Sequence, residues 1–205
     1  MILLHPTYFP SISHMVSLVN EKEIVFEVED NYQKQTYRNR AYIAHSNGKL
    51  SLNVPVKHSK NGERQKTKEV LIENSFPWQS QHWKSIQTAY RTSPFFEYYE
   101  DDLEWLFKEP VELLLEHNLK IFKTFCNILD LECNFSLSRV YSKNPSEKDL
   151  RYLVEAKNEP NFTFDSYNQV LQNKNDFLPN LSLLDLLFNE GPNTVYYLKA
   201  QQLSL

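Results

Sequence analysis

The run Phe177-Leu178-Pro179-Asn180-Leu181-Ser182-Leu183-Leu184-Asp185-Leu186-Leu187-Phe188-Asn189-Glu190-Gly191-Pro192 constrains the fold more than any other stretch of this chain. Ser182 can cap a helix, with Asp185 three residues on in the place of a capping-box acid, and Gly191-Pro192 stops it. Between these signals Leu183, Leu184, Leu186, Leu187 and Phe188 cover most of the helix circumference, which marks a helix buried on several sides. The rest of the molecule has to surround it. With 205 residues, 41% of them hydrophobic, the chain is long enough for one substantial core, and a single compact domain is expected.

Composition then removes several function classes. The chain has only 3 glycines, no two close enough to build a phosphate-cradling loop of the P-loop or dinucleotide kind. A net charge of -4 argues against general nucleic-acid binding, which relies on clustered Lys and Arg. No apolar run approaches the roughly 20 residues needed to span a bilayer, and the N-terminus lacks a basic-then-apolar leader, so a cytoplasmic protein is expected. Cys126 and Cys133 form no CxxC pair and read as inert, buried or half-buried thiols. The histidines show no ligand spacing, so no metal is indicated, and no serine elbow occurs; the sequence does not name a cofactor. Thirteen Phe and twelve Tyr point to a core and a cleft built from rings.

Along the chain, Ile2-Leu3-Leu4-His5 closed by Pro6 reads as a buried strand. A turn follows, then a helix capped by Ser11 or Ser13 with Ile12, Met15, Val16 and Val19 on one face, then a second strand, Ile24 to Glu29. A strand, helix, strand unit favours two parallel strands, and ligands collect where such strands end. Asn47-Gly48 between Ala41–Ala44 and Leu50–Val56 signals a hairpin. Residues 57–68 are charged and read as a mobile loop, and Glu69–Glu73 as a further strand. Helices are expected from Trp78, from Ser93-Pro94 through Phe107, and from Pro110 at a first helical position. Phe135–Val140 reads as a strand, Ser146 with Asp149 as the start of a short helix to about Ala156, and residues 158–164 as a connector. The fold class is α/β: one domain with an N-terminal strand-helix-strand unit, a small mixed sheet and several aromatic-rich helices.

Blocks spread along most of the chain resemble the WbqC-like proteins. They are His5-Pro6-Thr7-Tyr8-Phe9-Pro10, Glu29-Asp30-Asn31-Tyr32-Gln33-Lys34-Gln35-Thr36-Tyr37-Arg38-Asn39-Arg40, Leu52–Val56, His82–Ile86 with Ala89-Tyr90, Ser93–Tyr99, Tyr167-Asn168-Gln169 and the terminal Pro179–Pro192 stretch. The resemblance implies a role in cell-surface polysaccharide synthesis of the O-antigen type, through acyl or aminoacyl transfer to a sugar. It also implies a glycine-containing strand and turn between Val154 and Phe164 in longer relatives, where this chain has a short link bearing Asn and Pro.

Candidate chemistry gathers first at the end of the opening strand. His5 could act as a general base held by Asp30, or could simply bond to backbone in a tight turn. Tyr8 and His14 stand near that edge, His14 also reading as a packing residue. The strand, His5, turn, His14 order resembles the phosphate-holding loop of nucleotidyltransferases, though no glycine precedes His14. Arg38 and Arg40, flanking Asn39 and preceded by Gln35 and Tyr37, suit capture of a phosphate or carboxylate, or pairing with surface acids. His82 and Tyr90, eight residues apart, share a helical face. Asp185 and Asn189 share another, where Asp185 could cap its helix or pair with Arg38 or Arg40. These residues point to a transferase-like protein taking a small-molecule or glycan-precursor ligand of anionic character. The rivals are a non-catalytic binding or scaffold protein of the same pathway and a nucleotide-handling enzyme.

Overall fold

The computed structural model of the protein describes residues 1–57, 64–132, 134–157, 159–172 and 176–203. Its element order bears out the α/β class: β1 (Ile2–Leu4), α1 (Ile12–Leu18), β2 (Ile24–Phe26), β3 (Arg40–His45), β4 (Gly48–Asn53), α2 (Trp78–Tyr90), α3 (Phe96–Glu104), α4 (Leu114–Ile128), β5 (Phe135–Leu137), β6 (Lys148–Asp149), α5 (Leu183–Glu190) and α6 (Thr194–Ala200). Short 3-10 turns cover Thr67–Glu69, Trp105–Phe107, Arg151–Val154 and Gly191–Asn193.

β1 is buried along its whole length, as its unbroken apolar sequence requires of a strand covered on both faces. It pairs in parallel with β2 on one side and β6 on the other, and β5 adds in parallel to β2, giving the order β5-β2-β1-β6. The chain thus builds outward from β1 through β2 to β5, then crosses to the opposite side for β6. The crevice at such a reversal, beyond the carboxyl ends of the strands, is where open parallel sheets hold ligands. β3 and β4 form a separate antiparallel hairpin. His45 pairs with Gly48, so Ser46 and Asn47 make the turn, and Gly48 has the positive φ of 108°.

The leucine-rich helix α5 lies in the middle of the core, with Leu183 through Phe188 fully buried. The Ser182 hydroxyl caps it, accepting from the Leu184 N–H at 3.3 Å. Gly191 ends it at φ 52°, where an added Cβ would sit 2.5 Å from the Phe95 ring. Asp185 does not complete a capping box. The Ser182 N–H goes instead to the Tyr42 carbonyl, and the Asp185 side chain turns to Tyr167 and Gln169.

Several expected boundaries move, each for a local reason. Pro110 does not open α4, because residues 70–72 and 112–114 bond to one another in extended form and Leu113 stays out of the helix. Residues 69–73 give two single bridges rather than a strand. The third strand of the sheet stops at Leu137, since Ser138 spends its hydroxyl on Val28 N–H and Glu27. Asp149 does not stabilise a helix opened by Ser146. It joins β6, and its carboxylate takes the Arg151 N–H and guanidinium at the start of the following 3-10 turn. Of the charged loop, residues 58–63 lie outside the described residues, while Lys66 and Lys68 both bond Glu29 at 2.6 Å. Cys126, expected as a free thiol, is disulfide-bonded, and Cys133 lies outside the described residues. Among the described residues no helix is long and apolar enough to cross a membrane.

Candidate functional site

A cleft of about 610 Å³ opens beyond the carboxyl ends of β1, β2 and β6. His5 enters from the end of β1, Glu29 and Asp30 from the segment after β2, Arg38 from the approach to β3, and Asp149, Arg151 and Tyr152 from β6 and its 3-10 turn. Tyr141 and Lys143 come from the stretch after β5.

Arg38 organises the floor. It is only 1% exposed, and its Nη2 donates to Asp30 Oδ2 at 2.6 Å and to His5 Nε2 at 2.8 Å. Because a guanidinium only donates, His5 Nε2 is the acceptor and the ring carries its proton on Nδ1. That nitrogen donates to the Glu27 carbonyl at 3.3 Å. Burial first, and then the Arg38 charge, hold His5 well below the usual histidine range, so it is neutral. The structure therefore revises the expected base. Asp30 and His5 do approach, at 3.7 Å, but the guanidinium bonds both, and the His5 lone pair is already used. His5 and Asp30 position Arg38. Asp30 is steadied in turn by the Thr67 hydroxyl at 2.6 Å.

Glu27, which sequence reading passed over as an ordinary strand residue, ties three parts of the cleft together. Its carboxylate accepts from the Glu29 N–H at 2.8 Å, the Ser138 hydroxyl at 2.7 Å and the Arg151 guanidinium at 3.3 Å. Arg151 also grips Asp149 at 2.7 Å and lies over the Tyr141 ring. The alternation Val25, Glu27, Glu29 in a predicted strand was the available signal: an acid inside an apolar run is costly unless partnered. Arg151, Thr67 and Tyr152 carried no comparable mark.

The other sequence candidates lie apart from the cleft lining. His14 is buried beneath the β1 end, and its pKa falls to about 4 through burial, partly offset by a bond to the His5 backbone. It does not line the cleft, whereas His5 does. Tyr8 donates to His82 Nδ1 at 2.8 Å within a ring cluster that includes Trp78 and His117, and burial takes His82 to about 4. Tyr90 accepts from the Ala44 N–H at 3.0 Å inside the core. Tyr37 donates to Glu159 at 2.7 Å, and Asn39 donates to the Val54 carbonyl at 3.0 Å. Gln35 is exposed at a turn with φ 62°. Arg40 begins β3 and has no ion-pair partner among the described residues, but it does not line the cleft beside Arg38, so the two do not form a double clamp there. Asp185 and Asn189 are not cleft residues either. Asp185 accepts from Tyr167 at 2.6 Å and Gln169 at 2.8 Å, not from Arg38 or Arg40, and burial raises its pKa. Asn189 accepts from the Val170 N–H at 3.0 Å and donates to the Asp185 carbonyl at 2.7 Å.

No group of three or more His, Cys, Asp or Glu side chains is placed to hold a metal among the described residues. What the cleft offers is a buried cation with fixed partners, acids paired with cations, and aromatic walls.

The profile of the WbqC-like protein family matches residues 5–159, a span that runs from His5 through every cleft residue named above. The chain belongs to the WbqC-like family. A protein of Mycobacterium tuberculosis (strain ATCC 25618 / H37Rv), described as "Uncharacterized protein Rv1507c", is 25% identical over 229 aligned positions that cover 96% of each chain. No solved structure matches. Membership of the WbqC-like family therefore rests on sequence, and the arrangement of the cleft comes from this structure.

Proposed function

We propose that this WbqC-like protein binds an anionic small molecule in the cleft beyond the carboxyl ends of β1, β2 and β6. It serves there in a transferase-type step of cell-surface polysaccharide synthesis, passing an acyl or aminoacyl group to a sugar. The observation that carries the ligand reading is Arg38: a buried guanidinium in the floor of an open cleft, held by Asp30 and His5, with Nε uncommitted to any protein group. Preorganised donors of this kind stabilise ligand or developing negative charge without reorganising when it arrives. The family resemblance supports the pathway, and the cleft's place at the strand reversal supports small-molecule handling.

The experiment is a thermal-shift screen of the intact protein against nucleotide sugars, acyl carriers, amino acids and ATP. A ligand of the cleft at 100 times its dissociation constant adds about 2.7 kcal/mol to stability. No response to any phosphate or carboxylate compound removes the proposal.

A second reading, a non-catalytic binding protein of the same pathway, is favoured by the His5 ring, both of whose nitrogens are committed to protein partners. Incubating the ligand found in the screen with a sugar acceptor separates the two, since only the transferase consumes it.

A further inference from the structure

Two residues that line the cleft each hold a shielded donor that no protein group takes. Tyr152 stands in the 3-10 turn after β6 and lines the cleft, yet its shielded hydroxyl has no protein partner. Arg38 spends Nη2 on Asp30 and His5 and Nη1 on Thr36, and its buried Nε likewise has none. Buried polar groups are almost always paired, so two unmatched donors on one cleft point to a ligand that supplies the acceptors.

We propose that the Tyr152 hydroxyl and Arg38 Nε form a two-donor subsite for an oxyanion of the ligand, carboxylate or phosphoryl, which makes Tyr152 a specificity-determining residue. The inference rests on the cleft being the ligand site. Arginine never accepts a hydrogen bond, so a ligand ammonium finds no partner at Nε. The usual bidentate use of the guanidinium fork is closed, because Nη2 spends both of its N–H groups, on Asp30 and His5. A second bond to the same ligand group must come from another residue, and Tyr152 has the free donor. The remaining charges favour an anion over a neutral carbonyl. Arg64 and Lys143 line the cleft without an ion-pair partner among the described residues. Glu29, Asp30 and Asp149 are each paired, which leaves Glu155 as the one uncommitted lining acid among those residues.

Tyr152→Phe removes one oxygen and nothing else. As that oxygen bonds no protein group, the melting temperature should stay the same or rise slightly. Inorganic phosphate and acetate, titrated separately into the full chain, should each be followed by the Arg38 Nε–H resonance in nitrogen-proton spectra. In the wild type that resonance moves on titration, and the tighter of the two anions tells whether the ligand group is phosphoryl or carboxylate. Tyr152→Phe should weaken that anion about tenfold, or about 1.4 kcal/mol. Equal affinity in both proteins, with the Arg38 signal still moving, overturns the role of Tyr152 and leaves the cleft reading standing. If neither anion moves the Arg38 signal or any other cleft resonance, the subsite and the cleft reading both fall.

Discussion

The cleft floor and the terminal helix each bury an ionisable side chain in a polar cluster, and they put it to opposite uses. Arg38 is fixed by Asp30 and His5 but retains an uncommitted donor on a cleft wall. Asp185, fully buried, takes Tyr167 and Gln169 on Oδ2 and also keeps an uncommitted oxygen, Oδ1, but it lines no cleft, and through its partners the 167–170 segment closes over α5. A partly committed buried charge beside open space makes a site. The same kind of charge enclosed on all sides makes a fastening.

Acid should show the contrast most strongly. His5 lies well below the usual histidine range, His14 and His82 near 4 and His117 near 3, all through burial first. A histidine with a depressed folded pKa binds fewer protons folded than unfolded, so stability is lost as pH falls below the unfolded value of 6.5 toward the folded one. Between about pH 7.5 and pH 5 each such ring withdraws about 2 kcal/mol, so the urea midpoint should fall steeply over that range. Asp185 works the other way. Its raised folded pKa costs stability above that pKa, and the cost is relieved as pH falls through it toward the unfolded value. Asp185→Asn should therefore make the acid loss steeper, and an unchanged slope would break the assignment of opposite signs.

Next in size, Asp185→Ala leaves the Tyr167 hydroxyl buried without its acceptor and the Gln169 amide with the Leu178 carbonyl in place of the carboxylate. It should cost about 3 kcal/mol in chemical unfolding while leaving anion affinity of the folded protein unchanged. Arg38→Met should do the reverse in emphasis, weakening anion binding by about 2 kcal/mol, roughly 30-fold, by titration. Equal losses of affinity in the two variants would erase the distinction between site and fastening. Smallest, Thr67→Val removes one hydrogen bond to Asp30 and should lower stability by about 1 kcal/mol with little change in affinity.

The strand-helix-strand opening, the hairpin and the buried terminal helix were legible because each has a local signature: an unbroken apolar run, Asn-Gly between alternating segments, a capped leucine stripe. His5 and Asp30 were legible as candidates because a strand, helix, strand unit gathers strand ends at one edge, and Arg38 because it and Arg40 flank an amide. Their roles were not. Which nitrogen of His5 holds the proton follows from a guanidinium 33 residues away, and no spacing rule reports that. Asp185 misled because its distance from Ser182 fits a capping box, while tertiary partners at Tyr167 and Gln169 outbid the local one. Arg40 and Arg38 look alike in sequence, yet only Arg38 lines the cleft. β6 was missed since a two-residue strand has no periodicity to read.

The order β5-β2-β1-β6 has a consequence for how the molecule comes into being. Ile2 and Leu3 find their second neighbours at Lys148 and Asp149, and Ser11 bridges to Ser182. β1 thus waits for partners far downstream of it in the chain. Contacts so distant in sequence make for slow folding, since the loop between them must close before the pairing rewards it. During synthesis β1 has one side unpaired until β6 emerges, and such an open strand side attracts other chains. The cleft, which needs β1 and β6 together, is accordingly one of the last features of the molecule to exist.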